Sequence, residues 1–305
     1  MKLTRKEFLR TSSLLAGGFF IPASINFGKI FNPPAGTFKT LRGDCGIYLE
    51  KGGTIGWYAA DDAVVVVDSQ FPDSAKNMLA ELRKKSARRI DLLFNTHHHG
   101  DHTSGNIYLK DFADRIIAHE NCKALQEKNY GNDPSKPQAY PNFTFKKEWT
   151  QEIGKEVVSA KYFGPAHTGG DSVIHFQRTN VAHVGDLVFN RTYPFIDSNG
   201  GGSIENWPNV LERISKFYSK DTLFIFGHGA SDDLTTGSMT DILAMQNYLT
   251  ALIEFVSAGI KTGKSKEVIA ASGEVPGFGG LKERWEGARK MNLEKTYDEL
   301  VKKQN

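Results

Sequence analysis

The chain has 305 residues, of which 24% are charged and 39% are hydrophobic, a composition typical of a folded globular protein. Its formal net charge is +3, and residues 1–23 contribute all of that excess, so removal of this segment leaves no net charge to favour a nucleic-acid partner. The two cysteines, Cys45 and Cys122, are too few for a zinc ribbon or a disulfide framework. We expect them to be unpaired, and a disulfide between them in an exported protein is the alternative.

The first 23 residues have the layout of a secretory signal peptide. A basic start at residues 1–10 precedes a short, mainly apolar stretch at residues 14–23, and the small residues Ala23 and Ser24 follow. Residues 4–10 also resemble a twin-arginine export signal, with Lys6 in place of the second arginine. We therefore predict contact with the export machinery, removal of residues 1–23, a periplasmic location and no later membrane association. An uncleaved amphipathic anchor is the alternative.

Beyond a linker at residues 24–38, short β-branched or aromatic segments between turn residues predict strands. The first half of the chain is predicted to hold strands at residues 46–50, 54–59, 63–67, 90–95 and 115–118, and helices at 73–86, 105–112 and 120–128. The four valines of Val64–Val67 predict a strand that is buried on both faces. Residues 130–145, with three prolines, predict a loop.

The second half repeats the order of strands followed by helices. Strands are predicted at residues 157–163, 172–177, 181–185 and 223–226, with a helix at 204–218. Residues 239–258 carry an apolar stripe at helical spacing, which predicts a helix that faces the core through Ile242, Met245, Leu249, Leu252, Ile253 and Val256. Two successive sets of strands and helices predict two sheets with helices outside them.

One segment, residues 95–103 (NTHHHGDHT), concentrates groups that bind metals. On an extended backbone, residues two apart face the same way, so His97 and His99 can point at one ion while His98 faces away. After Gly100 the chain can turn, which allows Asp101 and His102 to reach a second ion. Imidazole and carboxylate groups are suitable ligands for zinc.

These four residues cannot fill the coordination shells of two ions, so further ligands are required. Three downstream residues qualify, because each follows a predicted strand and stands close to a glycine: His167 in GPAHTGGD, Asp186 in HVGDLVF and His228 in FGHG. A lone histidine at the end of a strand is usually structural. The ordered set of seven residues, however, predicts a dinuclear metal site.

The order T-H-x-H-x-D-H, H-T-x-G-D, G-D and G-H-G resembles the metallo-β-lactamase superfamily, from about residue 40 to about residue 230. This resemblance implies an α+β fold, the αββα sandwich with metal ions at one edge between two sheets. The catalytic core would then be residues 39–235, and residues 236–305 would form a helical C-terminal extension packed on it.

The resemblance also implies a role for each ligand. His97, His99 and His167 would hold the first of two zinc ions, Asp101, His102 and His228 would hold the second, and Asp186 would bridge them. Asp68, at the end of the Val64–Val67 strand, matches a structural aspartate of the family, and we expect it to support a ligating imidazole.

The predicted reaction is attack on the carbonyl of a small-molecule substrate by a hydroxide that bridges the two zinc ions. Asp101 would orient this nucleophile and accept its proton. Zinc β-lactamases that resemble this fold typically carry Cys or Ser near the position of Asp186, so we expect an ester or a lactone as substrate.

Four alternatives stay open: a β-lactamase, a thioester hydrolase of the glyoxalase II type, an iron persulfide dioxygenase of the same fold, and a non-catalytic zinc-binding protein. Substrate contacts are expected from the loops at residues 130–145, 190–206 and 275–285. Tyr193 is expected either to donate a hydrogen bond to the oxyanion or to pack against the helix at residues 204–218.

Overall fold

The computed structural model describes residues 36–131, 133–135 and 137–302. The predicted signal peptide at residues 1–23 lies outside this part of the chain. No helix within the described residues is both long enough and apolar enough to cross a membrane.

The first half of the chain forms a seven-stranded sheet whose spatial order follows the sequence. Its strands are β1 (Thr37–Arg42), β2 (Cys45–Leu49), β3 (Ile55–Ala59), β4 (Val64–Val67), β5 (Ile90–Asn95), β6 (Ala113–His119) and β7 (Phe143–Phe145). Strands β1 to β4 pair antiparallel, and β4 to β7 pair parallel. Parallel neighbours place the ends of β5 and β6 at one edge, where the histidine-rich segment begins.

The second half forms a six-stranded sheet in the order β13-β12-β11-β10-β9-β8. Its strands are β8 (Glu148–Ile153), β9 (Glu156–Tyr162), β10 (Ser172–Phe176), β11 (Val181–Asn190), β12 (Leu223–Gly229) and β13 (Thr236–Gly237). Only β11 and β12 pair parallel; the other neighbours are antiparallel.

The two sheets pack face to face and helices cover their outer faces. One apolar cluster joins Val65 and Val67 of the first sheet to Ile174 and Ile225 of the second. Val64 and Val66 point the other way into a separate cluster, so the prediction that this strand is buried on both faces is confirmed. The arrangement is the predicted αββα sandwich.

The helices are α1 (Pro72–Lys85), the single turns α2 (Gly100–Thr103) and α3 (Asn106–Leu109), α4 (Glu120–Tyr130), α5 (Trp207–Phe217), α6 (Met239–Lys261), α7 (Lys266–Ala270) and α8 (Ala288–Lys302). Helix α1 packs on the outer face of the first sheet through Met78, Leu79 and Leu82. Helices α5, α6 and α8 share a cluster with the outer face of the second sheet, and the predicted stripe of α6 is buried there.

Two predicted elements differ from the structure. The helix expected at residues 105–112 is shorter than predicted: only the single turn α3, Asn106–Leu109, forms there, separate from the turn α2 before it. The reason is tertiary, since Ser69 N donates to His102 O and Gly105 N donates to Gln70 O, which pins this segment against another loop. The loop expected at residues 130–145 is shorter than predicted, because β7 occupies its end.

Candidate metal centre

Glycines allow the predicted ligands to approach one another at the edge of the sandwich. Gly185 has φ of 53°, and a Cβ atom there would lie 2.6 Å from Thr96 Oγ1. A Cβ atom on Gly227 would lie 1.9 Å from Asp186 Oδ1. The pairing of β11 with β12 is also irregular between Gly185 and Phe189. Asp186 therefore leaves the regular pleat of β11. A larger residue at position 185 would clash with Thr96, and one at position 227 would clash with Asp186 itself.

The first group of ligands consists of three imidazoles that face one another. His97 Nε2 lies 3.1 Å from His99 Nδ1, and His167 Nε2 lies 3.1 Å from the same His99 atom. His97 and His167 are buried, and His99 is 20% exposed. The carboxylate of Asp186 joins this group, whose four ligand atoms all lie within 4.8 Å of one another.

Hydrogen bonds on the far side of each ring decide which nitrogen carries the proton. His167 Nδ1 lies 2.7 Å from Phe195 O, and His99 Nε2 lies 2.9 Å from Asp197 Oδ2, so both nitrogens donate. Thr96 Oγ1 gives its own proton to Asp68 and therefore accepts from His97 Nδ1, 3.0 Å away. In neutral rings, the three nitrogens that face inward then carry lone pairs.

The second group consists of Asp101, His102 and His228. His228 Nε2 lies 3.1 Å from Asp101 Oδ2 and 3.4 Å from His102 Nε2. His102 Nδ1 donates to Asp68 Oδ2 at 2.7 Å, which leaves its Nε2 atom facing the group. Burial disfavours a charge on His102, but the carboxylates of Asp186, Asp101 and Asp68 raise its pKa well above the ordinary value. A metal ion that binds here would therefore displace a proton.

Asp186 lies between the two groups. Its Oδ1 atom is 3.1 Å from His102 Nε2, and its Oδ2 atom is 3.5 Å from both His167 Nε2 and His228 Nε2. Burial alone would raise its pKa, but the rings of His228, His102 and His97 hold the pKa well below its ordinary value. Asp186 is thus an ionised carboxylate that contacts ring nitrogens of both groups.

The donor set fits metal ions. Inward lone pairs at 3.1 Å repel one another unless a cation lies between them, and the outward N–H groups have the acceptors that ligating imidazoles require. Burial also lowers the pKa of His97 well below its ordinary value and that of His167 to about 3, so both rings are neutral, the state that binds metals. Imidazole and carboxylate groups are common ligands of metal ions in proteins.

Comparison with known proteins agrees with this geometry. Residues 50–241 match the family described as the metallo-beta-lactamase superfamily. The chain belongs to that superfamily. Because its homologues there are metal-dependent hydrolases, the chain is an enzyme of this class.

Individual members of the superfamily are distant in sequence. The chain is 23% identical over 173 residues to a metallo-beta-lactamase type 2 of Elizabethkingia meningoseptica, covering 56% of this chain and 67% of the relative. It is 24% identical over 172 residues to the Bacillus cereus protein of the same name, covering 56% and 64%. It is 26% identical over 180 residues to a probable metallo-hydrolase of Methanocaldococcus jannaschii, covering 55% and 84%.

Solved structures of the superfamily share the fold. A metallo-beta-lactamase from Pontibacter korlensis superposes with a TM-score of 0.60 at 15% identity, covering 70% of this chain and 99% of that one. The DIM-1 metallo-beta-lactamase superposes with a TM-score of 0.58 at 16% identity, covering 71% and 98%. At these identities the likeness supports the fold and leaves the substrate open.

Asp68, predicted to support a ligating imidazole, and Tyr193, predicted to donate to an oxyanion or to pack against the helix at residues 204–218, lie in different surroundings. Asp68 is buried and accepts hydrogen bonds from Thr96 N, Thr96 Oγ1 and His102 Nδ1, at 2.8, 2.8 and 2.7 Å. It supports His102 directly and His97 through Thr96. Tyr193 is 3% exposed and packs against Tyr248 with ring centroids 5.9 Å apart, and it is not among the residues that line the cavity beside the ligands.

Sequence reasoning did not find Asp197. Its Oδ2 atom accepts from His99 Nε2, and His98 Nε2 lies 3.3 Å from the same oxygen. Gly200 N donates to Asp197 Oδ1 at 2.8 Å, and Gly169 N donates to Gly200 O at 2.8 Å. The glycine-rich loop therefore packs beside the ligands and orients His99. Asp197 lies 98 positions from His99 in a polar loop, so no sequence spacing indicates this contact.

A cavity of about 430 Å³ opens beside the two groups of predicted metal ligands. It is lined by His99, Gly100, Asp101, Asp186, Phe189, Phe195, His228, Arg284 and Trp285. Two of the three loops predicted to contact substrate contribute to it, residues 190–206 through Phe195 and residues 275–285 through Arg284 and Trp285. No described residue of the third loop, 130–145, lines it.

Proposed function

We propose that this enzyme is an exported hydrolase that binds two zinc ions and cleaves carboxylic esters or lactones. The observation that carries the proposal is Asp186, whose two carboxylate oxygens contact ring nitrogens of both ligand groups. A carboxylate in this position supports two ions held side by side, and the histidine-rich donor set suits zinc. When bound, zinc would supply the Lewis acidity that polarises a carbonyl group and activates the attacking water.

Asp101 is the best-placed proton acceptor. At 33% side-chain exposure it is the most accessible ligand, and it lines the cavity. Although burial would raise its pKa, the rings of His102 and His228 lower that pKa below its ordinary value, so the carboxylate is ionised at neutral pH. It can therefore orient a water molecule beside a substrate carbonyl and accept the proton of that water.

The cavity wall supports a small, partly apolar substrate. Phe189, Phe195 and Trp285 offer aromatic surface, and the rings of Phe195 and Phe189 contact those of His99 and His228, so apolar and polar groups lie side by side. Such a pocket holds an acyl or aromatic group by its apolar area and orients the scissile bond by a few polar contacts.

A β-lactam is the competing substrate class, because two of the similar proteins are named metallo-beta-lactamases. Asp186 argues for esters and lactones instead. If it is shared between two ions, the group of Asp101, His102 and His228 gains a fourth, anionic ligand, which makes that site less electrophilic. An alkoxide leaving group needs less stabilisation there than the amide nitrogen of a β-lactam.

Kinetics on one zinc-loaded preparation test this proposal. Metal content is measured first, and kcat/KM is then compared for a simple lactone, a phenyl ester and a chromogenic cephalosporin. We expect the lactone or the ester to exceed the cephalosporin, and Asp101→Asn to reduce turnover at least about 100-fold. Asp61→Asn, at an exposed carboxylate in the turn between β3 and β4, is the matched control. A clear excess for the cephalosporin would reverse the ranking.

Export rests on the sequence of residues 1–23 alone. The intact mass of the protein purified from its native host measures whether this segment has been removed, and fractionation gives the compartment. Recovery of the full-length chain from the cytosol would contradict both the signal peptide and the periplasmic location.

A further inference from the structure

The segment Leu281–Gly287 forms one wall of the cavity, although it lies outside the part of the chain that matches the superfamily. Its backbone is fixed to the loop after β11. Lys282 N donates to Arg191 O at 3.0 Å, and Lys282 O accepts from Tyr193 N at 3.1 Å and from Thr192 Oγ1 at 2.7 Å. The wall that this segment forms beside the metal site therefore has a defined position.

The part of this wall that lies next to the ligands is formed by aromatic side chains. The rings of Trp285 and Phe195 meet edge to face with centroids 6.1 Å apart, and Phe195 meets the ring of His99 in the same way at 5.6 Å. Ala288 N donates to Trp285 O at 3.3 Å, which ties this residue to the first turn of α8. An apolar or aromatic portion of a substrate can thus lie against Phe195 and Trp285 while its scissile bond faces the ligands.

Arg284 lies where two cavities meet. It lines the large cavity and also a polar cavity of about 240 Å³, and the two cavities share His228. Apart from histidines, it is the only cationic side chain among the residues that line either one.

Among the residues that the structure describes, the guanidinium of Arg284 has no partner. It is exposed and forms no hydrogen bond or ion pair with any other residue of the described chain. The adjacent carboxylate of Glu283 accepts instead from Gly287 N at 3.2 Å and Arg289 N at 3.1 Å, at the start of α8. The cation is therefore available to a ligand.

We propose that Arg284 binds a carboxylate of the substrate, and that the enzyme prefers esters or lactones whose apolar or aromatic portion carries this group. The inference rests on the proposed function and adds a substrate class to it. The planar guanidinium matches a carboxylate with two parallel hydrogen bonds. Trp285 and Phe195 hold the apolar portion between Arg284 and the ligands.

Two esters that differ in one charge test the proposal: 4-acetoxybenzoate and the neutral 4-acetoxybenzamide. The variants are Arg284→Gln, Arg284→Lys and, as a matched control, Lys282→Gln, which removes a positive charge from the same segment but does not line either cavity. Zinc content is measured for each preparation, so that loss of metal is not mistaken for loss of binding.

We expect Arg284→Gln to raise KM for 4-acetoxybenzoate about tenfold relative to 4-acetoxybenzamide, because a charged hydrogen-bonded pair is lost. Arg284→Lys should give an intermediate ratio, since it keeps the charge without the planar fork, and Lys282→Gln should keep the wild-type ratio. An unchanged ratio in Arg284→Gln overturns the proposal.

Binding without turnover separates this inference from the proposed function. Calorimetry measures the affinity of the zinc-loaded protein for 4-hydroxybenzoate and 4-hydroxybenzamide. If neither ester is cleaved, ester hydrolysis fails as the function, while a roughly tenfold loss of 4-hydroxybenzoate affinity in Arg284→Gln still supports the carboxylate site. Equal affinities in the wild-type protein and Arg284→Gln overturn it.

Discussion

Replacing Asp68 with Asn should place a proton on the inward-facing nitrogen of two neutral metal-binding rings, those of His97 and His102. The carboxylate accepts from Thr96 N through Oδ1, and from Thr96 Oγ1 and His102 Nδ1 through Oδ2. In the variant, the amide oxygen keeps the first bond, but the amide nitrogen replaces Oδ2 and can only donate. His102 Nδ1 must then accept. The ring, which the surrounding carboxylates favour as a doubly protonated cation in the metal-free wild-type protein, becomes neutral with its one proton on Nε2, the atom that faces the ligand group.

The same change reaches His97 through Thr96. Once the introduced amide donates to Thr96 Oγ1, the hydroxyl proton of Thr96 is free to be donated to His97 Nδ1, 3.0 Å away, so the proton of His97 also moves inward. Partners of ligating histidines typically contribute 10- to 100-fold to metal affinity. Because both groups are affected, we expect about 100-fold weaker zinc binding, which corresponds to about 2.7 kcal/mol.

Stability should change much less than metal affinity. Asp68 has φ of 64°, a conformation that asparagine tolerates, so Asp68→Asn should cost about 1 kcal/mol of unfolding free energy. Asp68→Ala should cost at least about 3 kcal/mol, because three buried donors lose their acceptor. Competition with a chromophoric chelator measures the affinity, nitrogen NMR of the metal-free protein reports the ring protonation, and urea titration gives the stability.

The control is Glu156→Gln. Glu156 is a buried carboxylate that accepts from the backbone of Val157, Arg178 and Thr179 and has no histidine partner among its hydrogen bonds. The Glu156→Gln variant should have a lower unfolding free energy and an unchanged affinity for zinc. Wild-type zinc affinity in Asp68→Asn, or inward lone pairs on both rings in its NMR spectrum, would refute the reasoning.

Three further predictions follow from the site and the helices beside it. Asp186→Ala should reduce the zinc content of dialysed protein from two ions to one, measured by mass spectrometry, and two tightly held ions with full activity would contradict its assigned position. His183 donates to Thr54 O and accepts from Gly185 N, so it must stay neutral, and burial lowers its pKa from 6.5. Because the unfolded chain gains a proton that the folded one does not, the unfolding free energy of chelator-treated protein should fall below about pH 6.5, less steeply in His183→Gln. Asn292→Ala should cost about 2–4 kcal/mol in urea titrations, since Tyr248 Oη and Pro194 O lose their buried partners, whereas Thr250→Ala, on the exposed side of α6, should cost under about 1 kcal/mol.

The buried strands could be predicted because their β-branched and aromatic side chains form short apolar runs that are visible in the sequence. The strand at Ile90–Asn95 has the predicted bounds, and Val64–Val67 differs from its prediction by one residue. Two polar strands were missed, β1 and β8, whose residues are all exposed or half-buried. Their sequences lack an apolar repeat, and pairing with β2 and β9 is what keeps them extended.

The candidate metal site could be predicted because order in the sequence corresponds to position in the fold. Each ligand follows or ends a segment rich in β-branched or aromatic residues. Parallel pairing of β4 with β5 and of β11 with β12 brings most of these segments to one edge, whereas His167 follows the antiparallel strand β9. The residues around the ligands follow no such rule. Asp197 and Arg284 reach the site because their loops fold back over it, and the sequence of a polar loop does not specify where it folds.

Both halves of the sandwich contribute ligands. His97 and His102 follow β5 in the first sheet, while Asp186 and His228 belong to β11 and β12 in the second. A bound ion is therefore a removable cross-link between the two sheets, in addition to the apolar contacts and the hydrogen bonds, such as that from His183 to Thr54 O, that join them. At a free metal concentration of 100 times Kd, such an ion adds about 2.7 kcal/mol to the unfolding free energy. In the metal-loaded protein, the amide hydrogens of both sheets near the site should then exchange through one shared opening reaction. In the chelator-treated protein, the two sheets should open, and their amides exchange, independently.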